Sequence, residues 1–84
     1  MTTDRTLTTL KAHRGPFRFN LMRPAKKLGF FTSEWLTGLT SREDVLEEAE
    51  ALLTDPRDTI VAVFVFSEPE QAHVTTIRLA QNVQ

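Results

Sequence analysis

An uncharged run of eight residues, Thr59 to Phe66, is the dominant folding signal in this chain. The run is rich in β-branched and aromatic side chains, which favour a strand. Apolar residues alternate onto both of its faces, so a strand at this position has to be covered on both sides. The run therefore predicts a central strand around which the rest of the chain is built.

Three further strands are predicted from alternation and from breakers. Phe17 to Arg23 alternates with a period of two, and Pro24 ends it because proline lacks the amide hydrogen of a strand interior. Leu28 to Leu36 forms a second strand that makes an antiparallel hairpin with the first, and we assign its Trp35 to the core. Ala72 to Ala80 is the last strand.

One helix is predicted over residues 41–54. Ser41 is placed as its N-cap with Asp44 as a capping-box partner, and Pro56 follows the end of the helix. A single apolar stripe runs along the helix at Val45, Leu46, Ala49, Leu52 and Leu53.

These elements predict an α+β fold of ββαββ type, with a four-stranded, mostly antiparallel sheet and the helix on one face. With 84 residues the chain is one domain, covering 16–80. Residues 1–15 form an N-terminal arm or a short helix, in which Gly15 would provide a left-handed helix stop. Residues 81–84 form a tail.

The valine face of the central strand needs a cover if the helix packs on the other face. Val61, Val63 and Val65 share this face, and an uncovered apolar sheet face usually indicates an interface. The N-terminal arm is one candidate for the cover. A second copy of the chain is the other, which would make the protein a homodimer.

Charge is distributed unevenly along the sequence. Residues 1–27 carry seven Lys and Arg against one Asp, whereas residues 28–84 carry three Arg against ten Asp and Glu. The cations of the first hairpin that are candidates for nucleic-acid binding are Arg14, Arg18, Arg23, Lys26 and Lys27. Phe17 and Phe19 lie on the strand face opposite Arg18, which favours these aromatics as core residues and the cations as solvated surface.

The predicted helix is acidic on its outer side. The candidate protein-binding residues there are Glu43, Glu47, Glu48 and Glu50. Our leading expectation is a non-enzymatic protein-interaction or regulatory module that binds a partner protein through this helix or through an uncovered sheet face. Nucleic-acid binding by the basic hairpin is the alternative.

The sequence contains no recognisable motif for a catalytic site, a metal site or a cofactor site. There are no cysteines, and the two histidines, His13 and His73, lie far apart in sequence with no carboxylate at ligand spacing. Gly15, Gly29 and Gly38 stand alone, so no phosphate loop is predicted, and we expect neither an enzyme nor a cofactor. The sequence has no signal-peptide pattern and no membrane-spanning apolar run, so we expect a cytoplasmic protein.

Overall fold

The computed structural model describes residues 3–78, with side chains from residue 6 onward. Its helices and strands are α1 (Thr3–Lys11), β1 (Phe17–Pro24), β2 (Phe31–Trp35), α2 (Val45–Thr54), β3 (Ala62–Ser67) and β4 (Ala72–Ile77), with a 3₁₀ turn at Arg42–Asp44 before α2. The order ββαββ after a short first helix confirms the predicted α+β fold. The predicted tail and the end of the last strand lie outside the described residues.

The four strands form one open sheet in the order β2-β1-β3-β4. Every neighbouring pair is antiparallel. The two central strands, β1 and β3, pair with Phe19 opposite Val65 and with Leu21 opposite Val63. This register places the large side chains of β1 beside the small valines of β3 on the same face.

Both helices pack on this face of the sheet. The buried residues of the core are Leu10, Phe17, Phe19, Leu21, Val45, Ala49, Leu53, Ile60, Val63 and Val65. The alternation in β1 and the apolar stripe of α2 are therefore confirmed. None of the helices within residues 3–78 is long and apolar enough to cross a membrane.

The expectation that the main helix leaves the valine face of β3 uncovered is wrong, whereas the N-terminal segment does pack on that face, as one of the two candidate covers. The helices cover Val63 and Val65, while Phe64 and Phe66 lie on the face that neither helix covers. Val61 precedes the strand, which begins at Ala62, and is 36% exposed. The two phenylalanines lie opposite Asn20 and Arg18, and this register turns their face away from the core.

The second strand also differs from its prediction. It begins at Phe31 rather than at Leu28, because residues 25–30 form the connecting turn with Gly29 at φ +87°. Trp35 is not a core residue: its side chain is 48% exposed. Trp35 pairs with Asn20 and therefore lies on the uncovered side of the sheet.

The N-terminal segment forms a helix that belongs to the core. Leu10 is fully buried and Thr6 is 6% exposed. Gly15 is not the left-handed helix stop that we expected, because the positive φ angles among the glycines are those of Gly29 and Gly38. Instead, a Cβ at Gly15 would lie 3.0 Å from the ring of Phe17, so this position favours a residue without a side chain.

Ser41 does not cap the helix through a backbone contact as predicted. Its hydroxyl donates to the Asp44 carboxylate at 3.1 Å, and the first turn is a 3₁₀ turn. The backbone amide of Asp44 donates instead to the Ser41 carbonyl at 3.0 Å.

Candidate interaction surface

The side of the sheet opposite the helices is a surface that we call the open face. Its side chains come from all four strands, because successive residues of a strand point to opposite faces. The open face consists of Arg18, Asn20, Met22, Phe31, Ser33, Trp35, Phe64, Phe66, His73 and Thr76.

Aromatic rings form a row across the open face. The ring centroids of Trp35 and Phe66 are 4.8 Å apart and the rings are tilted by 59°. Phe66 then meets His73 edge-on at 5.3 Å, and Phe64 meets the same imidazole at 6.1 Å. Tilted and edge-on contacts at these distances are favourable for aromatic pairs, so the row is preorganised in the unbound protein.

Arg18 completes one end of this row. Its guanidinium lies 4.9 Å from the centroid of the Trp35 ring, in a cation–π contact. Its Nε is 3.5 Å from Oε1 of Glu68, and that buried carboxylate oxygen has no hydrogen-bond partner among the residues that the structure describes. The ion pair is therefore long and leaves Arg18 free to take a second acceptor.

A shallow pocket lies beside this cluster. Its volume is about 230 Å³. The lining residues are Arg18, Trp35, Phe66, Ser67, Glu68 and Gln71. The pocket combines two aromatic walls with one ion pair, which suits a mainly apolar group.

The predicted basic set is not brought together on one face. Arg23 lies on the helix side, where its Nε and Nη2 donate to Asp58 at 3.0 and 2.8 Å and its Nη1 donates to Glu34 at 2.6 Å. The hydrogen bonds to Asp58 and Glu34 raise the pKa of Arg23, and Arg23 holds the pKa of Asp58 below its ordinary value of 3.8. The charge of Arg23 is thus already paired with two carboxylates of the same chain, Asp58 and Glu34.

Three of the other cations of that set lie outside the strands, in or next to the first hairpin. Lys26 and Lys27 are exposed in the turn between β1 and β2, and the Lys27 amine is 5.0 Å from the Phe30 ring. The side chain of Arg14 is exposed, and its backbone amide donates to Glu70 at 2.6 Å. Arg18 is the one member of the predicted set on the open face.

The acidic residues of the predicted protein-binding helix are all exposed. They are Glu43, Glu47, Glu48 and Glu50. Glu43 lies in the 3₁₀ turn and the other three on α2. Within the described part of the chain none of the four forms an ion pair, so this patch is a charged, solvated surface.

A second polar cluster joins α1 to the β3–β4 turn. Nδ1 of His13 is 2.8 Å from Oε1 of Glu70, and Ser67 Oγ donates to the Arg14 carbonyl at 2.6 Å. The hydrogen bonds from His13 and from the Arg14 amide hold the pKa of Glu70 below its ordinary value of 4.5. These contacts fix the segment after α1 to the turn between β3 and β4.

Sequence reasoning missed the aromatic members of the open face. The period of two placed Phe64 and Phe66 on a shared face, but the sequence analysis placed the helix over that face rather than over Val63 and Val65. The contact of His13 with Glu70 has no signal in the sequence, since 57 positions separate them. Across residues 3–78, no three His, Asp or Glu side chains group as metal ligands would.

No family model, curated protein or solved structure matches this chain. The residues themselves therefore carry the functional argument.

Proposed function

We propose that this protein is a non-catalytic protein-interaction module that binds a partner protein on the open face. One observation carries the proposal: Trp35, Phe66 and Arg18 form a cluster on a sheet surface that neither helix covers. Tryptophan and arginine in such clusters contribute most of the binding energy in many protein interfaces. None of the described residues that form the open face is a lysine, and lysine is a residue that interface cores avoid.

A partner protein fits the open face better than a nucleic acid does. Stacking of bases requires aromatic rings with accessible faces and cations that follow the phosphates. The Trp35 ring already has Phe66 and Arg18 against it. The charge of Arg18 is balanced by the nearby Glu68 carboxylate, so the open face offers little net positive charge to a phosphate backbone, although the guanidinium keeps hydrogen-bond donors to spare.

The pocket indicates what the partner presents. At about 230 Å³ it is smaller than the roughly 300–1,000 Å³ of small-molecule sites. It suits a single apolar side chain of a partner protein, which would pack against Trp35 and Phe66. Arg18 could then donate to a backbone carbonyl next to that side chain, because its contact with Glu68 is long.

Site-specific photo-crosslinking tests this proposal. A photoreactive phenylalanine analogue replaces Asn20 on the open face in one variant and Glu48 on α2 in another. We expect Asn20 to crosslink a partner protein in the cell of origin and Glu48 not to. Crosslinking from Glu48 alone would move the interface to the acidic helix and refute the proposal.

The affinity of variants for the purified partner then measures how much the cluster of Trp35, Phe66 and Arg18 contributes to binding. Trp35→Ala is expected to weaken binding by about 30-fold or more, as for a hot-spot residue. Leu39→Ala is the matched control, since Leu39 is 53% exposed and Trp35 48% exposed, and we expect less than about a twofold change for this control. Equal effects of the two variants would count against the open face.

Nucleic-acid binding is tested separately, by titrating the isotopically labelled protein with oligonucleotides. Amide NMR shifts in Lys26 and Lys27 on titration with oligonucleotides, lost at high salt, would favour the basic hairpin instead.

A further inference from the structure

Strand β2 forms one edge of the sheet, and the direction of its backbone groups follows from the hydrogen bonds that flank it. The Leu36 amide donates to the Phe19 carbonyl at 2.9 Å, and the Ala25 amide donates to the Phe30 carbonyl at 2.9 Å. In an antiparallel pair, hydrogen-bonded positions recur at every second residue. The backbone groups of Thr32 and Glu34 therefore face β1, whereas those of Phe31, Ser33 and Trp35 face outward.

The protection of this edge against pairing is limited to one charged side chain, Glu34, which is paired with Arg23 of the neighbouring strand. All five residues of β2 are exposed, and the strand contains neither proline nor lysine. The irregularity of the sheet lies elsewhere, between Val65 and Phe66 on the β3–β4 side. Natural proteins normally block a free edge with such features, so β2 presents unpaired donors and acceptors to another strand.

We propose that β2 pairs in an antiparallel manner with β2 of a second copy of this chain, about a twofold axis at Ser33. Ser33 then lies opposite Ser33 of the second copy, and Phe31 lies opposite Trp35 of the second copy. All of these residues have outward-facing backbone groups, so each pair exchanges two hydrogen bonds. The result is one continuous sheet with strands from both copies.

Charge selects this register over its neighbours. A shift that centres the axis on Glu34 would place two glutamates directly opposite each other, which is unfavourable. Centring the axis on Thr32 would place Trp35 opposite Gly29 and forfeit the aromatic pair. With the axis at Ser33, Glu34 lies opposite Thr32 of the second copy and keeps its bond to Arg23 at 2.6 Å.

The second copy also contributes to the aromatic row. Phe31 and Trp35 are 58% and 48% exposed, and both lie on the open face. In the dimer, Phe31 of the second copy packs beside Trp35, so the row runs from His73 through Phe66 and Trp35 to a ring from the other chain. Aromatic cross-strand pairs of this kind stabilise sheets.

The size of the interface predicts a weak dimer. Half-exposed rings offer about 100 Å² each, and four such rings with five-residue strand edges stay near or below the roughly 1,200 Å² of the smallest stable interfaces. We expect association that depends on concentration in the micromolar to millimolar range. The dimer is argued from the strand edge and not from the proposed function, although both surfaces include Trp35. The Ser33 variants below separate the two, because Ser33 lies outside the Trp35, Phe66 and Arg18 cluster.

Disulfide trapping tests the register. The sequence has no cysteine, and a hydrogen-bonded antiparallel pair has Cα atoms about 5.5 Å apart, within disulfide range. Ser33→Cys is expected to form a covalent dimer under mild oxidation much faster than Thr32→Cys or Glu34→Cys. Faster trapping at either neighbour, or equal trapping at all three positions, would overturn the register.

Sedimentation equilibrium tests the dimer itself. Ser33→Pro removes an outward-facing amide that β1 does not use, so the monomer keeps its sheet, while Ser33→Ala keeps that amide. We expect the wild type and Ser33→Ala to dimerise with rising concentration and Ser33→Pro to remain monomeric. A wild type that stays monomeric at millimolar concentration, or a Ser33→Pro dimer as strong as the wild type, would overturn the proposal.

Discussion

Replacement of Leu10 by alanine tests whether α1 is part of the folded core. Leu10 is fully buried against the sheet, whereas Leu7 on the same helix is 39% exposed. Truncation of a fully buried leucine costs about 2–5 kcal/mol, which combines lost burial with a residual cavity. Leu7→Ala is expected to cost about 1 kcal/mol or less, because its side chain is partly solvated and its removal leaves no closed cavity.

These magnitudes are large compared with the stability of the domain. A chain of 84 residues is expected to have an unfolding free energy of about 4–12 kcal/mol. A loss of about 3 kcal/mol for Leu10→Ala would lower Tm by about 12–24 °C, since each kcal/mol shifts a domain of this size by about 4–8 °C.

Urea denaturation of the wild type and both variants, followed by circular dichroism, provides the measurement. The exchange of leucine for alanine changes helix propensity similarly at the two positions, so the difference between the variants reports burial. Equal and small losses for Leu7→Ala and Leu10→Ala would refute the reasoning and return α1 to the status of a loosely attached arm.

Two further predictions concern the ion pairs. Asp58→Asn should lower the urea midpoint more than Glu34→Gln, because Asp58 receives two hydrogen bonds from Arg23 and Glu34 receives one; the reverse order would contradict the assigned geometry. The pKa of Glu70 is lowered in the folded protein by His13, so its stabilising contribution is complete above its unfolded value of about 4.5 and is lost as the pH falls through the folded value. The difference in unfolding free energy between the wild type and Glu70→Gln should therefore shrink on acidification from about pH 6 to about pH 3, and a constant difference would argue against this contact.

Local patterns in the sequence were sufficient to predict the four strands, the main helix and their order, but they left α1 open as an arm or a short helix. The alternation from Phe17 to Leu21, the apolar stripe of α2 and the stop before Pro56 each depend on residues close together in the chain. The strands and the main helix therefore follow from periodicity and backbone chemistry. The exposed acidic side of α2 follows in the same way, because it is the complement of the apolar stripe.

The tertiary structure alone decided which face of the sheet the helices cover. Both faces of β3 are apolar, so periodicity could not choose between Val63 with Val65 and Phe64 with Phe66. The choice follows from the register with β1, which places Phe19 and Leu21 beside the valines, and from α1, which packs on the same side. The same register exposes Trp35 and creates the open face.

Contacts between residues far apart in the chain could not be predicted from the sequence either. Arg23 meets Asp58 across 35 positions, and His13 meets Glu70 across 57. Alternation and propensity describe neighbours along the chain, whereas these pairs depend on how strands and helices pack. For this reason the sequence by itself determined the four strands and the main helix, and only the tertiary packing decided which aromatic and charged side chains remain available for binding.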